Sequence, residues 1–362
     1  MARSSRVGGA LSFVLLVSIL AVVPSPDLSI PMNPTDVAGG RILSPDFYKD
    51  SCPQLEGIVK RAVQATFSVD ISIATGLLRI HYHDCVTQVQ LQPINVNSLL
   101  IIHNMTDYFF ISRDATLPCF FKERTASRLY NSTTNLHAGA LQLIERIRIQ
   151  AQQQCGPSIV SCTDITALAT REGVIATGGP AYAVNLGQLD SLGPASLAEV
   201  YMLPSAWVSS YSELLENFSQ WNFSDVHLVA LSGAHTLGSA QCIAFRDLDD
   251  CARHPWRKQS LDSTPKRFDN QYYVGILNGQ GVLSSDRVLA QDSRSLAPVK
   301  LFARDQGMFF QAFGEAMFRL SSLRKHHGGE VRNISCFVPN SSRRPLARTG
   351  VADDGEGHAA LA

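Results

Sequence analysis

The 362-residue chain has no excess of either charge: 31 Lys+Arg balance 31 Asp+Glu, for a formal net charge of +0. That balance excludes an electrostatic nucleic-acid binder and a polybasic membrane-surface protein. Charge is scarce altogether, at 17% of residues against 45% hydrophobic. Such a composition excludes global disorder and supplies enough apolar surface for one large domain or two modest ones. No CxxC pair occurs among the eight cysteines, so the clustered spacing of a zinc site is missing. Strand signals are few, and no internal repeat is visible. Beyond the N-terminus, no apolar stretch reaches the roughly 20 residues needed to span a bilayer.

At the N-terminus, Arg3 and Arg6 precede an apolar run from Ala10 to Val23 that stops at Pro24-Ser25-Pro26. This is the order of a secretory signal peptide, assigned to residues 1–30, and it implies a secreted protein with no membrane attachment after cleavage. In an exported chain an even, dispersed set of cysteines reads as disulfides, although spacing alone gives no connectivity. Six Asn-X-Ser/Thr sequons, at Asn104, Asn131, Asn217, Asn222, Asn333 and Asn340, agree with a glycoprotein. From 341 to 362 the chain turns polar, basic at Arg343, Arg344 and Arg348 and then acidic at Asp353, Asp354 and Glu356, which reads as a disordered tail.

Helical spacing dominates the rest. Apolar stripes run through Leu55, Ile58, Val59, Ala62 and Val63; through Leu141, Ile144, Ile147 and Ala151; and through Phe309, Phe313, Met317 and Leu320. Ser224 is placed to cap a helix over Val226 to Leu231, with Gly233 as its stop. Gly178-Gly179-Pro180 followed by Tyr182, Val184 and Leu186 is the best candidate for a short hairpin arm. Residues 86–121 show no clean period and no caps.

Two stretches carry chemistry. Read as a helix, Leu77 to Cys85 puts Arg79 and His83 at i and i+4 on one face and turns His81 away. An imidazole and a guanidinium projected together can move a proton between the oxygens of a bound molecule and stabilise the charge that develops. The same geometry argues against a metal pair of His81 and His83 and against a nucleophile built from His83 and Cys85. The second stretch, Asp225 to Gly238, delivers His235 from an apolar helix. Asp286 could accept the other ring proton of His235, as metal-ligating histidines require.

With these residues in view the chain resembles the plant secretory, class III, haem peroxidases over roughly residues 44 to 340. The carrying motifs are Phe47-Tyr48 with Ser51-Cys52-Pro53, Arg79 to Cys85, Val160 to Ile165, Gly178-Gly179-Pro180, Leu186 to Ser191, Leu231 to Cys242, Phe268 to Tyr273 and Ser335-Cys336-Phe337. The resemblance implies a mainly α, two-lobed helical fold with a minor β-hairpin over residues 40–340, acting as a monomer. It implies haem b held by His235 with Asp286 behind it, and catalysis by His83 and Arg79 that reduces hydrogen peroxide and oxidises small phenolic donors. It also implies a substrate contact at Pro204 and a proximal calcium held by Thr236, Asp262, Thr264, the Arg267 carbonyl and Asp269. Disulfides Cys52–Cys155, Cys162–Cys336 and Cys242–Cys251 follow from the same resemblance.

The chain departs from the family pattern in several places. Asp84 is the only recognisable ligand of a distal calcium, because residues 86–93 lack the acidic ones. Cys85 has no second cysteine close after it, and Cys119 is the nearest that follows. The loop between Cys242 and Cys251 is short, so part of the substrate-access rim is missing. Gln188 stands where an arginine pairs with the buried aspartate matching Asp164, which implies another partner for Asp164 or a weakened fold. These departures define an alternative: a catalytically impaired, non-enzymatic secreted glycoprotein that still binds haem.

Overall fold

A computed structural model of the chain describes residues 41–86, 137–193, 203–245, 248–254, 257–323 and 329–342. The signal peptide assigned to 1–30, nearly all of the atypical 86–121 stretch with Cys119, the sequons Asn104 and Asn131, and most of the 341–362 tail lie outside the described residues.

The first stripe is buried along α1 (Leu55–Phe67). It packs with α3 (Ala138–Cys155) and α4 (Cys162–Ala176) into one apolar cluster that also takes Ile73, Leu77 and Ile80 of α2 (Ile73–Val86). In α3, Ile144, Ile147 and Ala151 are buried as expected, but Leu143 faces inward and Leu141 is only half-buried. A second cluster takes Ala74, Leu78 and Cys85 of the same α2. It joins them to α5 (Tyr211–Ser219), α6 (Asp225–Ser232), α8 (Gln271–Leu277), α9 (Ser284–Leu289), α10 (Ser293–Arg304) and α11 (Gln306–Ser322). The third stripe, Phe309, Phe313, Met317 and Leu320, is buried there on α11. Each fully buried aliphatic or aromatic side chain contributes about 1.5–3 kcal/mol, so the two clusters dominate the stability of the fold.

Strands are short. β1 (Asp190–Ser191) pairs antiparallel with β4 (Gly329–Glu330), and β2 (Ser239–Gln241) with β3 (Lys258–Ser260). The small helix α7 (Leu248–Arg253) lies between β2 and β3 in the chain. The hairpin arm expected after Pro180 does not form. Val184, Asn185 and Leu186 are all buried, so the in–out alternation of a half-exposed strand is missing. The segment makes only an isolated antiparallel bridge between Ser44 and Leu186.

Buried polar groups fix the helix ends. The Ser161 hydroxyl accepts from the Asp164 N–H at 3.2 Å and caps α4. Asp190 accepts from the Cys162 and Thr163 N–H groups of that same first turn, at 3.1 and 2.9 Å, and from the Arg332 N–H at 2.9 Å. A carboxylate at a helix N-terminus is favoured by the macrodipole, and here it also ties β1 to the segment after β4. Disulfides Cys52–Cys155, Cys162–Cys336 and Cys242–Cys251 are all present. No described helix is long and apolar enough to cross a membrane.

Ser224 caps α6 as expected, its hydroxyl accepting from the His227 N–H. Gly233 ends α6 at its C-cap, as expected, though not as a left-handed cap. Its backbone stays right-handed (φ −61°, ψ −14°) and leads into a 3₁₀ turn, Gly233–Thr236, that carries His235. Glycine is needed there for space: a Cβ would stand 2.3 Å from the Tyr273 hydroxyl and 2.5 Å from Phe309. Gly233→Ala is therefore expected to lower stability by about 1–3 kcal/mol through overpacking, read as a fall in thermal midpoint. An unchanged midpoint would show that the two rings are free to yield.

Candidate active site

The two clusters consume two faces of α2. The remaining stripe is Thr75, Arg79 and His83, spaced i, i+4 and i+8, with Tyr82 at its edge packed against the second cluster. Thr75 meets Gly238, where an added Cβ would come within 2.5 Å of its side chain, and Tyr82 stacks on Phe218 of α5 at 6.3 Å between ring centroids. The stripe thus looks onto the chain just beyond His235 and onto the helix before α6. Gly238 has φ +88°, a left-handed conformation that glycine adopts without strain, and it needs the missing Cβ as well.

Arg79 is exposed and His83 half-buried. Burial, and then the positive charge of Arg79, push the His83 imidazole down to about 3, so at neutral pH it is an uncharged base beside a fixed cation. His81 points elsewhere, as its spacing predicts. It is buried, and its ring meets the Cys85 thiol at 3.4 Å from Nδ1. The imidazole that contacts Cys85 is therefore His81, one helical turn away.

On the facing side, His235 Nδ1 lies 2.8 Å from Asp286 Oδ1. The carboxylate accepts the Nδ1 proton and leaves Nε2 as the nitrogen with a free lone pair. Burial alone would lower the His235 pKa, but the Asp286 charge outweighs it and the net shift is upward. Asp286 is 1% exposed and sits in the first turn of α9, where its Oδ2 accepts from the Leu283 N–H at 3.2 Å. The Tyr272 hydroxyl also donates to Asp286, at 2.9 Å; sequence reasoning missed this residue although it lies in the quoted Phe268 to Tyr273 motif. Pro204 lies two residues before Ala206, whose carbonyl accepts from the Ser285 N–H at 3.2 Å. That bond ties the Pro204 loop to the helix carrying Asp286.

The expected calcium ligands converge. Thr236 Oγ1 is 2.5 Å from Asp262 Oδ2, 3.3 Å from Asp269 Oδ1 and 3.5 Å from the Arg267 carbonyl, and Thr264 Oγ1 is 2.9 Å from Asp269 Oδ1. Burial first, and also the charge of Asp269, raise the Asp262 pKa against the pull of its hydrogen bonds. Two carboxylates among hydroxyl and carbonyl oxygens form a hard-oxygen set that suits calcium and would relieve this repulsion. Among the described residues no group of three or more His, Cys, Asp or Glu could hold a metal, so any cation here leans on neutral oxygens. Asp84 is buried at the end of α2, and the segment that would complete a distal site lies outside the described residues.

Asp164 has found other partners. It accepts from the Tyr48 hydroxyl at 2.7 Å and from the Gly187 and Gln188 N–H groups at 2.7 and 3.3 Å. The Gln188 amide donates instead to the Ser321 and Leu323 carbonyls, at 3.2 and 2.7 Å. A cavity of about 10 Å³, the size of one water, is lined by His81, Cys85, Asp164, Asn185, Gln188 and Ser321. It lies across α2 from Arg79.

A family model described as peroxidase matches residues 59–305. The chain is 33% identical to Peroxidase 12 of Arabidopsis thaliana, with 94% of each chain covered. It is 33% identical to Cationic peroxidase SPC4 of Sorghum bicolor, with 83% of each covered, and 32% identical to Peroxidase 40 of Arabidopsis thaliana, over 83% of this chain and 86% of that one.

Burial raises the Asp164 pKa to about 7 despite its hydrogen bonds. A carboxylate raised in the folded state favours folding most while it is protonated, so its contribution is lost as pH rises from about 4 to about 7. The thermal midpoint of Asp164→Asn should therefore fall less than that of the native protein over this interval. Parallel midpoint curves for the two proteins would remove Asp164 as the source of the dependence.

Proposed function

Because the chain belongs to the plant secretory, class III, haem peroxidase family and is a haem peroxidase enzyme, we propose that His235 holds the iron and that His83 and Arg79 carry the peroxide chemistry. When bound, haem b supplies the redox chemistry that links peroxide reduction to oxidation of a donor.

His83 would take the proton from one oxygen of hydrogen peroxide and deliver it to the other, which leaves as water when the O–O bond breaks; the two electrons and the acceptor for the remaining oxygen are what bound haem would supply. Its low pKa keeps the ring free to accept that proton. Arg79, one turn earlier, cannot lose its own proton and hydrogen-bonds to the departing oxygen as negative charge develops. Asp286 holds His235 in the tautomer that presents Nε2 to the metal, and Thr236, one residue on, belongs to the proposed calcium set. That adjacency would make a cation held there a clamp on the turn that carries His235. Small phenolic donors meet the haem edge near Pro204, and the protein acts outside the cell as a monomer.

The observation that carries this reading is the stripe on α2. The one face that neither core consumes bears both the base and the cation, and it looks toward the chain segment of His235. Pairing of His235 with a buried carboxylate supports the axial role independently.

Haem-reconstituted protein is expected to show a Soret band that His235→Ala abolishes. His83→Ala should keep the band and oxidise a phenol with peroxide about 10²–10⁴-fold more slowly. A Soret band in the native protein without turnover would select the haem-binding, non-catalytic reading. Removal of calcium with a chelator should lower the thermal midpoint and weaken haem retention. Indifference to the chelator would take calcium away from Thr236, Asp262, Thr264, Arg267 and Asp269.

A further inference from the structure

Asp286 is a single buried carboxylate with three donors, and two of them share one oxygen. Oδ1 takes the His235 Nδ1–H at 2.8 Å and the Tyr272 hydroxyl at 2.9 Å, while Oδ2 takes the Leu283 N–H at 3.2 Å. Tyr272 is 1% exposed, and its ring stands edge-on to His235 with centroids 6.0 Å apart. The neighbouring Tyr273 hydroxyl, by contrast, is spent on the Val229 carbonyl at 2.9 Å. One of two adjacent buried phenols thus serves the backbone of α6, and the other serves the carboxylate behind the axial histidine.

Sharing an acceptor has a chemical cost. Each donor draws charge from the oxygen it binds, so a carboxylate oxygen already holding a phenol is a weaker partner for the imidazole. The partner of a ligating histidine sets its basicity toward the metal. We propose that Tyr272 is a positioning residue that tempers His235: by occupying Asp286 Oδ1 it limits how strongly the carboxylate polarises the axial imidazole, and so holds the potential of bound haem iron higher than a two-donor Asp286 would. The inference rests on the assignment of His235 as axial ligand.

The alternative is a purely structural Tyr272 that only stops the Asp286 side chain from turning. The two roles predict opposite signs. In haem-loaded Tyr272→Phe, a tempering role leaves Asp286 to His235 alone. The ferric–ferrous midpoint potential should then move negative, and the ferrous iron–histidine stretch in the resonance Raman spectrum should move to higher frequency. A structural role lets Asp286 swing away, which moves both in the reverse direction or leaves them unchanged; either result overturns the proposal. Site-specific 3,5-difluorotyrosine at position 272 keeps the hydroxyl and the fold while making the phenol a stronger donor. It should shift the potential positive, and a negative or absent shift would equally defeat the proposal, so the test survives a Tyr272→Phe protein that does not fold. His235→Ala is run alongside: a Soret band that survives it would sink the axial assignment itself, whereas its loss with no potential shift at position 272 would sink only the role of Tyr272.

Discussion

Helix α2 is packed on two faces at once, and that constraint fixes where the chemistry can be. Ile73, Leu77 and Ile80 belong to one apolar cluster and Ala74, Leu78 and Cys85 to the other, so α2 is the wall between them. A helix has room for only one further stripe. Arg79 and His83 stand on it because no other face is left for them. Substitutions that repack either core would therefore rotate or shift the stripe that carries Arg79 and His83.

Buried carboxylates are the other recurring device, and the chain treats three of them differently. Asp190 is satisfied by backbone N–H groups at a helix start and on a neighbouring segment, and its work is to hold β1, α4 and the chain after β4 together. Asp286 is satisfied by an imidazole, a phenol and one N–H, and its charge is aimed at His235. Asp164 has a phenol and two N–H groups but, among the described residues, no cation, and burial wins over its hydrogen bonds. A buried charge without a compensating charge is expensive. Taking up a proton is the cheapest response open to it.

Much of this could be read from the sequence, for definite physical reasons. The stripes of α1 and α11 are strongly periodic, and burial follows period. The opposition of His81 and His83 follows from helix geometry alone. The pairing of the cysteines came only with the family resemblance, since spacing carries no connectivity. Misreadings arose where local signals had two meanings. Gly233 does end α6, yet glycine is required there for close approach, which no local signal shows because the rings that crowd it lie 40 and 76 residues further along the chain. The Tyr182 to Leu186 stretch reads as a strand by alternation of size, yet it is buried on successive residues. The bond from Tyr272 to Asp286 is not legible in the sequence, because nothing in an aromatic pair on a helix says which hydroxyl will meet a carboxylate.

Departures from the family pattern that look scattered along the chain meet at one place. Gln188 where an arginine is usual, Cys85 with no second cysteine close after it, and the buried Asp164 all line the same small cavity, together with His81. It lies on the side of α2 away from Arg79 and His83. Loss of a guanidinium there removes both volume and charge. The volume becomes room for one water, and the charge deficit is met by the raised pKa of Asp164 and by Tyr48. Because α2 stands between this cavity and the stripe of Arg79 and His83, the changes bear on the stability of the helix wall and leave those two side chains in their own environment. The partners of His235, in contrast, are packed through α8 and α9, elements that take no part in the cavity. The pairing of His235 with Asp286 can thus stay intact while the packing behind α2 drifts, and the stability of that region is where the consequences of the drift should be sought.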